Sequence, residues 1–96
     1  MSKAFFERIE ERAKAIDSLL CVGLDPHPQD LEDQSAEAAH RFCLRIIEAT
    51  RDVALVYKPN SAFFEAFGAA GVDALARTIA ANMTAVKFGS EYIHEN

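Results

Sequence analysis

Ninety-six residues, 50% of them hydrophobic and 26% charged, have the make-up of one small globular domain or of a piece of a larger one, and exclude a disordered chain. Ten Lys and Arg against 15 Asp and Glu leave a formal net charge of −5; nucleic-acid binding, which needs a basic surface to neutralise phosphates, is not expected. No apolar run approaches the ~20 residues of a membrane span, and the charged opening "MSKAFFERIEERAK" lacks the apolar centre of a secretory signal, so the chain reads as cytoplasmic.

In the first segment Phe5, Ile9, Ala13 and Ile16 recur at helical spacing, with Glu and Arg on the opposite face. Glu10 precedes Lys14 by four residues, the favourable order for a surface pair. Asp17 and Ser18 end this helix. "LLCVGL" then reads as a strand covered on both faces, and Cys21 within it, like Cys43 further on, is expected to be a buried thiol. "DPHPQDLEDQSAE" is a loop, held extended or turned by its prolines. Ser35 is placed to cap the next helix, where Ala39, Phe42, Cys43, Ile46, Ile47 and Thr50 form a broad apolar stripe.

"VALVY", residues 53 to 57, is a second continuous apolar run, stopped by Lys58-Pro59-Asn60. Asn60 or Ser61 can cap a short helix through Phe63, Phe64 and Phe67, which are expected in the core; Gly68 ends it. A further helix is expected from about Val72 to Ala81. Two buried strands joined by a helical crossover make a right-handed βαβ unit with parallel strands, an α/β fold. The last stretch, "MTAVKFGSEYIHEN", contains at most a short third strand.

In parallel α/β folds ligands bind where the βα loops gather, at the carboxyl ends of the strands. Asp25 and Lys58 each stand at such an end. Adjacent strands lie ~4.8 Å apart, so the two can flank one site, the carboxylate accepting from ligand hydroxyls and the ammonium donating. The plain alternative for Asp25 is turn chemistry, since Asp-Pro is a common turn pair. His27 reads as a loop residue, His40 as an exposed one near a helix start, and Ser61 as a cap. His27, His40, His94 and the two cysteines show no metal-ligand spacing, and no glycine-rich phosphate loop is present.

"SLLCVGLDPHP", "FCLRIIEAT" and "YKPNSAFFEAFGAAG", in this order, resemble the N-terminal part of the orotidine 5′-phosphate decarboxylase family, and its longer bacterial-type subfamily in particular. The resemblance covers residues 3 to 82. It implies a partial (β/α)8 TIM barrel, here the first two βα units with an N-terminal helix. It also implies decarboxylation of orotidine monophosphate to uridine monophosphate, in pyrimidine synthesis, without metal or organic cofactor, by a homodimer. Carried over, Asp25 would bind ribose hydroxyls, Lys58 would belong to the catalytic charged network beside the reacting ring, and Asn60 would line the pocket.

One part of the family pattern is missing. The family's proton-donating lysine lies in a D-x-K-x-x-D motif, but the last lysine here, Lys87, has no Asp two residues before it and Ser90 three residues after it. Residues 83–96 are therefore expected to be a divergent tail, a short third strand or disordered, attached to a family segment over 1–82. The chain is expected to be inactive alone, with open sheet edges available to a partner. The alternatives are a non-catalytic α/β module that binds a nucleotide or a partner, or a different phosphosugar barrel with a similar first βαβ unit.

Overall fold

A computed structural model describes residues 5–81, 86–88 and 91–93. Helix α1 (Phe5–Ile16) leads into strand β1 (Leu20–Leu24), a 3-10 turn (Pro28–Asp30) and helix α2 (Ala36–Thr50). Strand β2 (Ala54–Pro59), helices α3 (Ser61–Glu65) and α4 (Gly68–Ala80), and strands β3 (Val86–Phe88) and β4 (Glu91–Ile93) follow. The sheet order is β1-β2-β4-β3, with β1 and β2 parallel.

The stripe on α1 does what its spacing requires: Ile9, Ala13 and Ile16 pack on Leu55 and Val56 of β2. The helix ends in a left-handed residue, Asp17 at φ 50°, and the Ser18 amide donates back to the Ala13 carbonyl at 3.2 Å, the Schellman closure of a helix end. Ser18 Oγ then donates to Val53 O at 2.6 Å and accepts from the Leu20 amide at 3.1 Å, tying this corner to both strands. Arg12 reaches the Arg51 and Ala54 carbonyls at 3.0 and 3.1 Å, so α1 is also fixed to the end of α2. The Glu10–Lys14 pair forms at 3.2 Å on the exposed side.

Ser35 caps α2, its Oγ accepting from the Ala38 amide at 3.1 Å. The α2 stripe meets the other face of the sheet, where Leu24, Ala39, Cys43, Ile47, Ala54, Tyr57, Phe64 and Ala74 form the main core. Burial pushes the Cys43 thiol up to about 12, so it stays protonated and inert. The Tyr57 hydroxyl is buried there and donates to Ile47 O at 3.3 Å; Thr50 Oγ1, which donates to Ile46 O at 2.7 Å, lies 2.9 Å from the Tyr57 oxygen. Of the three phenylalanines expected in the core, Phe64 is fully buried and Phe67 packs against the core, while Phe63 is half-buried.

Besides α4, which begins at Gly68, where the sequence reading ends the preceding helix, and not near Val72, three features differ from the sequence reading. Strand β1 is not covered on both faces: Leu20 is 45% exposed, and Cys21 and Gly23 are exposed too. The reason is position, since β1 is an edge strand with β2 as its neighbour among the described residues. Cys21 is thus a surface thiol, not a buried one. Second, β4 lies antiparallel beside β2, and β3 antiparallel beside β4; a barrel would instead set its third strand parallel to the second. Ser90 and His94 fall outside the described residues.

The third concerns His40, which is half-buried between α2 and α4, its Nδ1 2.8 Å from Thr78 Oγ1. The Thr78 hydroxyl donates to Ala74 O at 2.8 Å, so it accepts from His40 and the imidazole carries its proton on Nδ1. Burial first, then the charge of Arg77, holds the imidazole below its usual 6.5, against the pull of Glu37. A depressed histidine favours the folded state above its unfolded value and loses that contribution as pH falls. Stability is accordingly expected to drop as pH is lowered through 6.5 towards 5, and the drop should flatten in H40Q. Denaturant midpoints at pH 7.5, 6.5 and 5.5 check this; parallel pH profiles for the two proteins would contradict it.

Candidate functional site

The two parallel strands bring the predicted residues to one rim. In the register Gly23 is level with Lys58 and Leu24 with Pro59, and the ladder runs on one step further, the Asn60 amide donating to Leu24 O at 3.2 Å. Register partners in a parallel pair present their side chains to the same face, and the direction alternates along each strand. Leu24 and Tyr57 belong to the core on the α2 side, and Pro59, two residues after Tyr57, is buried as well. Gly23 and Lys58 therefore share the opposite face, to which Asp25, two residues on, returns.

Lys58 is the one exposed residue of β2. Five of the six positions in that strand are sequestered, so the strand is rigidly held while its only cation stays exposed. Asp25 is half-buried, and its carboxylate leans back along β1: a Cβ placed on Gly23 would lie 2.7 Å from Asp25 Oδ2. Among the described residues no ion pair joins Asp25 to Lys58, so the direct charge pair contemplated from the sequence is not formed. The carboxylate instead lies against Gly23, whose backbone is level with that of Lys58 on the neighbouring strand.

The loops behind them are built for stiffness. The His27 amide donates to Asp25 O at 2.8 Å, a three-residue turn centred on Pro26, whose fixed φ suits that position. Pro26 is fully buried. The His27 ring meets the Phe63 ring edge-on, with centroids 4.5 Å apart, which fastens the loop after β1 to the helix after β2. Asn60 Oδ1 accepts from the Ala62 amide at 3.1 Å, so the residue expected to line the pocket is engaged as the cap of α3. The His27–Phe63 contact has no sequence signature. Gly23 had one, since a glycine inside a strand often marks a close approach.

Among the described residues there is no cluster of His, Cys, Asp or Glu that could hold a metal ion, and no helix long and apolar enough to cross a membrane. No protein-family model matches the chain. Curated relatives do. An orotidine 5′-phosphate decarboxylase from Roseiflexus castenholzii is 49% identical over 78 residues, which is 78% of this chain and 29% of that protein. The chain is homologous to orotidine 5′-phosphate decarboxylase. The Leptospira interrogans decarboxylase is 45% identical over 71 residues, 71% of this chain and 26% of its own.

Solved structures agree. A Toxoplasma gondii structure assigned to orotidine-monophosphate decarboxylase superposes with a TM-score of 0.77 at 54% identity, covering 81% of this chain and 27% of the other. The UMP synthase of Leishmania donovani gives 0.71 at 50% identity, covering 83% and 16%. The chain thus spans less than a third of the decarboxylases it matches. It is a small α/β piece of a TIM barrel, with one parallel strand pair and its helices.

Proposed function

We propose that this chain carries the ribose-binding edge of an orotidine 5′-phosphate decarboxylase site and does not decarboxylate alone. The observation that supports this most is the register that sets Lys58 beside Gly23, with the Asp25 carboxylate leaning over the same glycine. A ribose has vicinal hydroxyls that both donate and accept. A carboxylate acceptor and an ammonium donor on one strand face, separated by a bare peptide, match that pattern, and charge-assisted bonds are the strong ones. Asp25 accepts from the hydroxyls, Lys58 donates to the ribose and extends towards the reacting ring, and Asn60 closes the rim. The substrate class is a pyrimidine nucleotide and the compartment cytoplasmic; in a full-length barrel, a homodimer completes the site.

Decarboxylation needs more than this edge. A carboxylate must press on the substrate carboxylate, and a lysine must protonate the carbanion developing at C6. The 96 residues hold no D-x-K-x-x-D motif. Lys87 does not replace it: its backbone is level with Tyr92 and, through it, with Tyr57, two strand spacings from β2 or about 10 Å. Phosphate-gripping loops of the kind that follow strands seven and eight of a barrel are also outside this chain. Residues 1–82 are the family segment and 83–96 a divergent tail.

The purified chain, free of host enzyme, is expected to show no turnover of orotidine monophosphate, while uridine monophosphate at millimolar concentration shifts amides around 23–27 and 58–60. Turnover would refute the claim of inactivity, and silence of those amides would refute the ribose edge. A second reading, a non-catalytic module, is favoured by one observation: the antiparallel β4 takes the place beside β2 that a third barrel strand would need. Adding the remaining barrel as a separate polypeptide separates the two, because the module reading predicts no restored activity.

A further inference from the structure

We propose that Gly23 is a positioning residue for Asp25: its missing side chain leaves the space in which the carboxylate lies against β1, on the face shared with Lys58. The inference rests on the ribose-edge reading for its consequence, although not for its geometry. A Cβ at position 23 would stand 2.7 Å from Asp25 Oδ2 and 3.7 Å from its Cγ, with no other heavy atom of the described residues within 4 Å beyond Gly23 and its two chain neighbours. No backbone opposes the extra carbon, and no positive φ is recorded at Gly23. The only thing in the way is the tip of a side chain that can rotate.

This separates Gly23 from a structural glycine. A methyl group there has nothing to break in the fold, but it cannot coexist with the carboxylate where it now lies, so Asp25 must turn about χ1 into another staggered well. Lys58, level with Gly23 on the neighbouring strand, would then lose its acceptor counterpart across the bare peptide. A ligand hydroxyl bonded to both groups would be left with one. Gly23 thereby sets the spacing of the two charged groups without touching the ligand itself.

The test compares the wild-type chain with G23A, without and with nucleotide. Three-bond couplings report the χ1 rotamer of Asp25 in the free proteins. One dominant rotamer is expected in the wild type and a different one in G23A, with amide dispersion elsewhere retained. The same rotamer in both, rotamer averaging in the wild type, or failure of G23A to fold would each overturn the proposal. With ligand, the ratio of affinities for uridine monophosphate and its 2′-deoxy analogue is read. The wild-type preference is expected to fall about tenfold in G23A, the worth of one charge-assisted hydrogen bond. A wild type that shows no such preference defeats the ribose reading while the rotamer comparison still decides Gly23; a preference unchanged in G23A defeats the positioning role.

Discussion

Replacing Gly71 by alanine is expected to remove more than half of the folding stability of the chain. Helices α3 and α4 approach so closely at this point that a Cβ on Gly71 would lie 1.6 Å from the carbonyl oxygen of Phe64 and 2.7 Å from its carbonyl carbon. These are backbone atoms, and Phe64 itself is fully buried in the main core, so neither side can yield by a rotamer change. Relief requires α4 to move off α3, which opens the cavity that Phe64 and Ala74 now fill. Overpacking costs typically 1–3 kcal/mol when side chains can adjust; a backbone collision belongs at or above the upper end, about 3 kcal/mol or more. A domain of this size has only about 5 kcal/mol to lose. Urea or thermal unfolding followed by circular dichroism checks this. A midpoint within 3 °C of the wild type (about half a kcal/mol) would mean that the helices are not locked together here. Gly68 is the control: its φ of 66° explains its identity, but open space surrounds it, so G68A should cost only the left-handed strain of about 1 kcal/mol.

The same contrast runs through what could be read from the chain before its folding was known. The stripe on α1, the Ser35 cap and the Asn60 cap were legible because each is a local rule about spacing or about an orphan amide. The parallel pair β1–β2 was legible because two short apolar runs joined by a helix have few ways to pack. Burial of individual strand residues was not, because it depends on neighbours elsewhere in the chain. Cys21 looks as apolar in context as Cys43, yet one stands on an open edge strand and the other under α2. A bulge in β2 was equally invisible: Leu20 is level with Ala54 but Cys21 with Val56, so Leu55 is an extra residue. Leu55 and Val56 both pack under α1 while Ala54 and Tyr57 join the α2-side core. The bulge therefore sets which face Lys58 occupies, and with it the site. His40 was misjudged for a related reason, since its partner Thr78 lies 38 residues away on another helix.

Substituting Lys58 by alanine is expected to lower the affinity for uridine monophosphate by about 10- to 100-fold, the range for one or two hydrogen bonds to a charged group. The fold should be unaffected, because Lys58 is exposed and is in none of the ion pairs among the described residues. Interpretation turns on where the ammonium group acts. Were it attracting the phosphate through space, K58A would weaken nucleotide binding in low salt and leave uridine untouched, since screening removes attraction over about 10 Å at 0.1 M salt. If it donates to ribose hydroxyls, uridine and uridine monophosphate should lose affinity by the same factor, and the loss should persist in salt. Asp25→Asn supplies the opposite sign. Near a dianionic ligand, removing a carboxylate relieves repulsion and should tighten binding unless that carboxylate accepts hydrogen bonds from the ligand. A weaker complex with D25N, together with equal losses for uridine and its monophosphate in K58A, is the expected pair of results from an acceptor and a donor gripping one ribose. Tighter binding by D25N, or a K58A loss confined to the phosphorylated ligand, would instead leave a lone surface cation attracting an anion.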